Sequence, residues 1–436
     1  MHACTIVASN YLAHARVLAN SFLANHADGC FTVLLLDGEA GPSQESFRLL
    51  DVYSIGIESV EVHRMAAIYD VTEFATAVKP FLLRMLLSDE ESVVYLDPDI
   101  EVLAPLDDIF ELAGEHGVVL TPHSLEPLPR DGQEPSETTI LRAGVYNLGF
   151  IAVGRSAHPF LDWWAERLRR ECLIAPASGR FVDQRWVDFV PSLFPHHILR
   201  DPGCNVAWWN LTNRHVEHGP TGYTVDGDPI RFFHFSGFSP GTPDLLSKYL
   251  LPVPRLSVRD QPALGDILRD YRSKLLDAGY KGMASTRYGW DMTAGGLRLD
   301  RPLRQAYRMS LVHAEAEGRS LPPDPFDDAQ VNAFAEWRQM LPPGAGVPAL
   351  ERAEQLLAHG PGGGFIGDSP GVLTTAARRL ARRLVWPFLD REQSLHRTYV
   401  EALEEHASRL ARLEAQLAAT DQVDNLTSVA TPKTRV

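Results

Sequence analysis

The chain predicts an α/β protein built on a parallel or mostly parallel sheet. Two observations carry this. Over residues 3–125, short β-branched and aromatic runs alternate with amphipathic stretches, the rhythm of repeated βαβ units. One of these runs, Val93-Val94-Tyr95-Leu96, ends in Asp97-Pro98-Asp99. Two carboxylates thus sit at a strand exit, the edge at which such sheets bind ligands.

Residues 3–8 read as the first strand. Residues 11–25 follow as a helix with Leu12, Ala15, Leu18, Ala19, Phe22 and Leu23 on one face. Residues 31–36 are a second strand, 43–52 a helix, 60–63 a short strand, 72–87 a helix, 93–96 the strand before the two acids, and 118–121 another. Residues 123–140 are polar and carry Pro127, Pro129, Gly132 and Pro135, the composition of a mobile loop. A strand over 146–153, an amphipathic helix over 159–172, a helix over 181–190 and a strand over 231–234 complete the pattern.

The chain divides into an α/β domain (1–250), a helical accessory region (251–350), a Gly/Pro-rich linker (351–373), an amphipathic helix with a short coiled coil (374–420) and a disordered tail (421–436). In the fourth segment His396, Tyr399, Leu403, His406, Leu410, Leu413 and Leu417 keep a 3–4 spacing that suits self-association into a homo-oligomer. Arg378, Arg379, Arg382 and Arg383 beside Trp386 and Phe388 suit peripheral contact with an anionic membrane. A solvated helical appendage accounts for both equally well.

Composition narrows the function. Of 436 residues, 41 are Lys or Arg and 56 Asp or Glu, a net charge of −15. Nucleic acid is therefore not an expected partner, because a phosphate-binding face shows as a basic excess. An acidic protein that handles an anionic nucleotide needs local compensation, which a bound metal supplies. Cys4, Cys30, Cys172 and Cys204 form no zinc or C-x-x-C spacing. With no signal-peptide pattern at residues 1–7, a reduced cytoplasmic setting is expected.

In a strand, residues i and i+2 point the same way, so Asp97 and Asp99 converge on one point. Mn²⁺ or Mg²⁺ takes such hard oxygen ligands and keeps positions open for phosphate oxygens. An Asp-X-Asp also arises by chance as a turn or cap. A phosphohydrolase with Asp97 as nucleophile, or a non-catalytic sugar-nucleotide scaffold, fits the tripeptide too.

Five segments in order resemble the retaining, glycogenin-like family 8 of GT-A glycosyltransferases and its bacterial relatives. These are Ala8-Ser9-Asn10-Tyr11, Lys79-Pro80-Phe81, Tyr95-Leu96-Asp97-Pro98-Asp99, Tyr146-Asn147-Leu148-Gly149-Phe150 with Phe181-Val182-Asp183-Gln184, and Phe233-His234-Phe235-Ser236-Gly237. The resemblance implies a GT-A, Rossmann-like nucleotide-diphospho-sugar transferase domain with helical C-terminal additions. It implies transfer of a hexose-type sugar from a UDP-sugar to a hydroxyl of a glycan, lipid-linked or protein acceptor. Asp97, Asp99 and His234 would hold Mn²⁺ (or Mg²⁺). Ala8, Asn10, Tyr11, Lys79, Asp97, Gly237 and Lys248 would contact the donor. Asp183, Gln184 and Asn147 would act at the sugar, with Gly149 allowing close backbone approach. The family's Lys-Pro-Trp after the histidine is absent, and Lys248 is the next lysine. Tyr288, Trp290 and Trp337 are sugar-platform candidates that also read as core aromatics.

Overall fold

Strand β1 (His2–Val7) lies inside a seven-stranded sheet, and helix α1 (Leu12–Asn25) returns across one face to β2 (Cys30–Leu35). The chain continues through β3 (Arg48–Asp51), α2 (Ser59–Ile68), α3 (Val71–Ala77) and α4 (Lys79–Leu86) to β4 (Ser92–Leu96) and β5 (Ile100–Val102). Then come α5 (Asp107–His116), β6 (Val118–Pro122), α6 (Glu137–Ala143), β7 (Tyr146–Gly154) and α7 (His158–Glu171). A small ribbon, β8 (Ile174–Ala175) with β9 (Arg180–Phe181), precedes α8 (Gln184–Val187), α9 (Val190–Leu193) and β10 (His196–Ile198). Beyond it, β11 (Val216–Gly219), β12 (Gly222–Val225) and β13 (Asp228–Pro229) form a meander ahead of β14 (Phe232–His234). Helices α10 (Pro262–Asp277), α11 (Tyr280–Met283), α12 (Arg301–Glu317) and α13 (Val331–Met340) complete the architecture. This computed structural model describes residues 1–38, 40, 44–220, 222–250 and 254–341. The linker, coiled coil and tail expected after residue 350 lie outside them.

The sheet order is β10-β6-β7-β4-β1-β2-β3, and β7 alone runs antiparallel to its neighbours, so the sheet is mostly parallel as expected. Strand alternation splits the core into two layers. Val94 and Leu96 pack with Leu18 and Phe22 of α1 and Ile109 of α5, while Val93 and Tyr95 pack with Phe81 and Leu82 of α4 and Trp164 of α7. Both faces are thereby covered, as a parallel sheet requires.

Four local expectations are corrected. Residues 48–51 are an edge strand, not a helix: Arg48–Asp51 pairs with Thr32–Leu35, and cross-strand pairing outweighs the local helical spacing. Residues 60–63 belong to α2, whose Val62, Met65 and Ala66 are buried at helical spacing. The helix expected over 72–87 is two, broken at Val78 before Lys79-Pro80. Within 123–140, α6 starts at Glu137, and the loop ahead of it is stapled by Arg255 to Asp131 (2.6 Å) and to the carbonyls of Pro129, Gln133 and Pro135.

The accessory helices dock through buried contacts. Tyr271 of α10 stacks on Phe235 at 3.7 Å between centroids. Arg304 of α12, 4% exposed, donates to the carbonyls of Ala66 (2.5 Å) and Tyr69 (2.7 Å) at the end of α2, and to those of Trp290 and Leu299. Cations are favoured at a helix C-terminus, where the last carbonyls lack intrahelical donors. Arg304→Met is expected to lower stability by about 3–5 kcal/mol, since it leaves several buried acceptors unpaired. Chemical denaturation followed by far-UV circular dichroism checks this; a loss below about 1 kcal/mol would show the carbonyls re-solvate freely.

Candidate metal and nucleotide site

The two aspartates converge by a turn rather than by strand alternation. Ile100 N donates to Asp97 O at 3.0 Å, with Pro98 at the second position of the turn, where its fixed φ belongs. The chain reverses into β5, which pairs antiparallel with β14 in the register His234↔Ile100. Phe235 N then donates to Asp99 O at 2.8 Å. This pairing delivers His234 to the acids.

His234 Nε2 lies 3.0 Å from Asp99 Oδ1 and 4.0 Å from Asp97 Oδ2, and one ligand atom from each residue falls within 4.8 Å of the others. The imidazole is 3% exposed, while the carboxyls of Asp97 and Asp99 are 30% and 25% exposed, so the cluster opens to solvent on its acidic side. Two carboxylates and one imidazole fit Mn²⁺ better than Ca²⁺, whose sites are all oxygen. Burial raises the Asp97 carboxyl. Burial acts the same way on Asp99, but His234 outweighs it and holds that carboxyl low. Burial disfavours the charged His234, and its contacts with Asp99 and Asp97 win, raising its pKa. Tyr95 donates its hydroxyl to Asp97 Oδ1 at 2.9 Å and fixes that side chain.

Lys79, expected near the donor, is 1% exposed. Its Nζ lies 2.7 Å from Asp183 Oδ2, donates to Leu148 O at 2.8 Å, and sits 4.2 Å from the Tyr95 ring centroid. The pair is close, yet Oδ2 keeps no well-directed hydrogen bond. Burial pushes the Asp183 carboxyl up to about 6 despite the lysine. The preceding Val182 has φ +43°, a strained setting for a β-branched residue, held by its N–H on Leu173 O at 3.0 Å.

The amides of Asn147 and Gln184 turn into the protein. Gln184 Oε1 accepts from Leu148 N (2.9 Å) and its Nε2 donates to Ala143 O (3.0 Å). Asn147 Oδ1 accepts from Gly149 N (3.2 Å) and Asn205 Nδ2 (3.0 Å), and its Nδ2 faces His123 Nε2 (3.2 Å). Gly149 is needed for a different neighbour than expected. A Cβ there would meet His234 Cε1 at 2.2 Å, so the histidine itself requires the glycine.

At the first strand's exit, Ala8 is buried, Asn10 keeps a buried Oδ1 without a hydrogen bond, and Tyr11 stacks on His14 at 4.3 Å. Burial, with Asp99 next in weight, pushes the Tyr11 phenol up to about 12. Gly237 (φ +75°) accepts the Lys248 N–H at 3.1 Å, which places the lysine beside the turn after His234; its side chain is exposed, with Nζ 5.0 Å from the Tyr249 ring centroid. Tyr288, Trp290 and Trp337 pack into or against the core.

Sequence reasoning missed His14, Asp37, Tyr95, His123 and Asn205. Asp37 Oδ1 accepts from both Ser9 N (2.7 Å) and Ser9 Oγ (2.8 Å), and its Oδ2 from Gly289 N (3.0 Å), clasping the first turn to the accessory region. An acidic residue after the second strand was the available signal.

Burial holds His14 at about 4 with its Nδ1 unpartnered, well below the unfolded value near 6.5. A depressed histidine contributes its stability above the unfolded pKa, and loses it as pH falls from 6.5 through 4. His14→Phe, which keeps a ring against Tyr11, is expected to gain on the wild type by about 2 kcal/mol between pH 7 and pH 5. Paired denaturation curves check this; a pH-independent difference between the two proteins would refute the buried neutral state.

No family model matches the chain. Among curated proteins, uncharacterized protein YfnF of Bacillus subtilis is 28% identical over 246 residues, 54% of this chain and 80% of its own length. YfnD of the same organism is 27% identical over 175 residues, 38% of this chain and 54% of its own. Several solved glycosyltransferases overlay on part of the chain. The galactosyltransferase LgtC, solved with donor and acceptor sugar analogs, shows 17% identity, 63% and 95% coverage of this and that chain, and a TM-score of 0.37. GlyE of Streptococcus pneumoniae TIGR4 shows 14%, 66% and 65%, and 0.36. Mouse xyloside xylosyltransferase 1 shows 14%, 53% and 96%, and 0.33. These are partial overlays at low identity.

Proposed function

We propose that the chain is a metal-dependent glycosyltransferase that moves a hexose-type sugar from a UDP-sugar to an acceptor hydroxyl with retention. The observation that carries the reading is the convergence of Asp97, Asp99 and His234 beside the Asn10–Tyr11 turn, on the carboxyl edge of the sheet. Asp97, Asp99 and His234 hold the cation. A bound cation would supply positive charge against the donor's diphosphate and so stabilise the departing nucleotide. Ala8, Asn10 and Tyr11 cradle the nucleoside, with Gly237 and Lys248 at its phosphate end. Asp183, neutralised by Lys79, orients sugar hydroxyls, and Gln184 and Asn147 form the wall behind the anomeric carbon. Retention is supported by the acids available: Asp97 and Asp99 face the metal and Asp183 is buried on a lysine, which leaves none of the three free as an inverting base.

The acceptor is a glycan, lipid-linked or protein hydroxyl in glycoconjugate synthesis. Among the described residues no helix is long and apolar enough to cross a membrane. Membrane contact and self-association through residues 374–420 belong to the same proposal. The test is a thermal-shift and hydrolysis screen of UDP-, GDP- and dTDP-sugars with and without Mn²⁺. Mn²⁺-dependent stabilisation by a UDP-sugar with slow release of UDP is expected. Phosphate release from aryl phosphates would instead favour the phosphohydrolase, and binding without turnover the scaffold.

A further inference from the structure

The polar groups behind His234 form a chain whose donor and acceptor roles are fixed by backbone groups at its ends. Gly149 N–H can only donate, so the Asn147 atom 3.2 Å away is its carbonyl oxygen. The Asn205 atom 3.0 Å from that oxygen must then be the amide nitrogen, and Asn205 Oδ1 is the atom 3.2 Å from His234 Nδ1. An oxygen there requires Nδ1 to carry a proton. Nε2, the nitrogen that faces Asp99 and Asp97, is therefore the one left to take a metal. The far end closes the same way. His123 Nδ1 lies 3.2 Å from Val145 O and must donate, so its Nε2 accepts from Asn147 Nδ2. Leu148 N–H marks Gln184 Oε1 as the oxygen 3.4 Å from that same Nδ2.

Asn205 is the link between the two ends. It is fully buried and held at φ +54°, a left-handed conformation that asparagine tolerates better than most residues. Flanking backbone bonds, Val206 N to Phe232 O (3.2 Å) and His234 N to Val206 O (2.8 Å), lay it alongside β14. No catalytic contact explains a buried asparagine in this conformation, whereas a two-sided amide between a histidine and a second amide does.

We infer that Asn205 is a positioning residue that sets the metal-facing nitrogen of His234 and, through Asn147, ties that ligand to the Gln184 wall of the sugar site. The inference rests on the metal reading of Asp97, Asp99 and His234. Outer partners of ligating histidines contribute about ten- to a hundredfold in metal affinity.

The test is Mn²⁺ affinity of the full chain by electron paramagnetic resonance, without substrate, for the wild type, Asn205→Gly and Asn205→Asp. Glycine keeps the φ +54° backbone and removes the amide, and is expected to weaken Mn²⁺ by about ten- to a hundredfold. Aspartate still accepts from His234 Nδ1 and is expected to stay within about threefold of wild type, inside the range a retained outer partner allows. It places oxygen against oxygen at Asn147, so its Mn²⁺-supported UDP-sugar hydrolysis should fall in kcat. ¹⁵N-histidine spectra with Mg²⁺ should show His234 protonated at Nδ1 in the wild type and lose that preference in Asn205→Gly. A merely structural role would weaken both variants alike and leave the tautomer unmoved, and that result overturns the inference. So does wild-type affinity in a folded Asn205→Gly. Should Asn205→Gly lose its circular dichroism, Asn205→Ser carries the same expectation. A wild type that binds no Mn²⁺ sinks the metal reading itself, which is a distinguishable failure.

Discussion

Asp97→Ala is expected to lower metal-dependent sugar transfer by about three orders of magnitude while leaving the fold intact. Asp97 would contribute one of the three proposed ligands, and its position in the turn before β5 is kept by the Tyr95 hydroxyl at 2.9 Å and by the backbone bond from its own N–H to Gly149 O at 2.7 Å. The second survives the substitution, so the turn and the β5–β14 pairing should persist. Removing a carboxyl whose ionised form is disfavoured by desolvation costs little stability of its own. Asp97→Asn, which retains the shape and the Tyr95 contact, should lose nearly as much activity, since a neutral amide is a poor ligand for a hard cation. Unchanged melting temperature with lost Mn²⁺ binding is the expected pair of results. A double Asp97→Ala/Asp99→Ala protein that transfers sugar at the wild-type rate would remove the metal from the mechanism.

Gly149→Ala is expected to be almost as damaging through a single methyl group. The added carbon would sit 2.2 Å from His234 Cε1, 2.7 Å from its Nδ1 and 2.9 Å from Asn147 Oδ1. On the β4 side the backbone is held by the bond from Asp97 N to Gly149 O at 2.7 Å, next to the Leu96↔Phe150 pair, although the pairing with β6 is irregular at this point. The imidazole must therefore rotate away from Asp99. Mn²⁺ affinity should drop by at least about a hundredfold, the upper range for disturbing a ligating histidine, with an overpacking cost of about 1–3 kcal/mol. Isothermal titration with Mn²⁺ and a melting curve read both effects. Wild-type Mn²⁺ affinity in this variant would mean that His234 is not a ligand where it stands.

The two variants probe different levels of legibility. Asp97 and Asp99 could be singled out as a pair because strand and turn chemistry are local. A β-branched run predicts its own strand, and Asp-Pro-Asp predicts its own exit. The candidate sugar-site residues were singled out by resemblance alone, and their electrostatics were not legible. Nothing in the segment around Lys79 shows that its ammonium is buried on Asp183 rather than exposed. Gly149 reads in the sequence as room for a ligand, whereas the neighbour it makes room for is a histidine 85 positions along the chain.

What the sequence determined by itself is the α/β class, the mostly parallel sheet and the choice of Asp97 and Asp99 as a candidate metal pair, with His234 added by the resemblance. These depend on side-chain period, turn residues and the few residue types that hard cations accept, all of which act over a few residues. Residues 48–51 and 59–68 mark the limit of that range: a helix was expected over 43–52 and a short strand over 60–63, whereas pairing with β2 and packing against α12 make them a four-residue edge strand and a ten-residue helix. Only the tertiary structure decided how the site is held. The β5–β14 pairing sets His234 opposite Ile100, and the Asn205–Asn147 amides fix which imidazole nitrogen faces the acids. Hydrogen-bond roles of this kind follow from which groups meet in a water-free interior. No local pattern encodes that meeting, so Asp97-Pro98-Asp99 could point to a candidate metal site while Asn205, proposed to orient its third ligand, left no trace in the sequence.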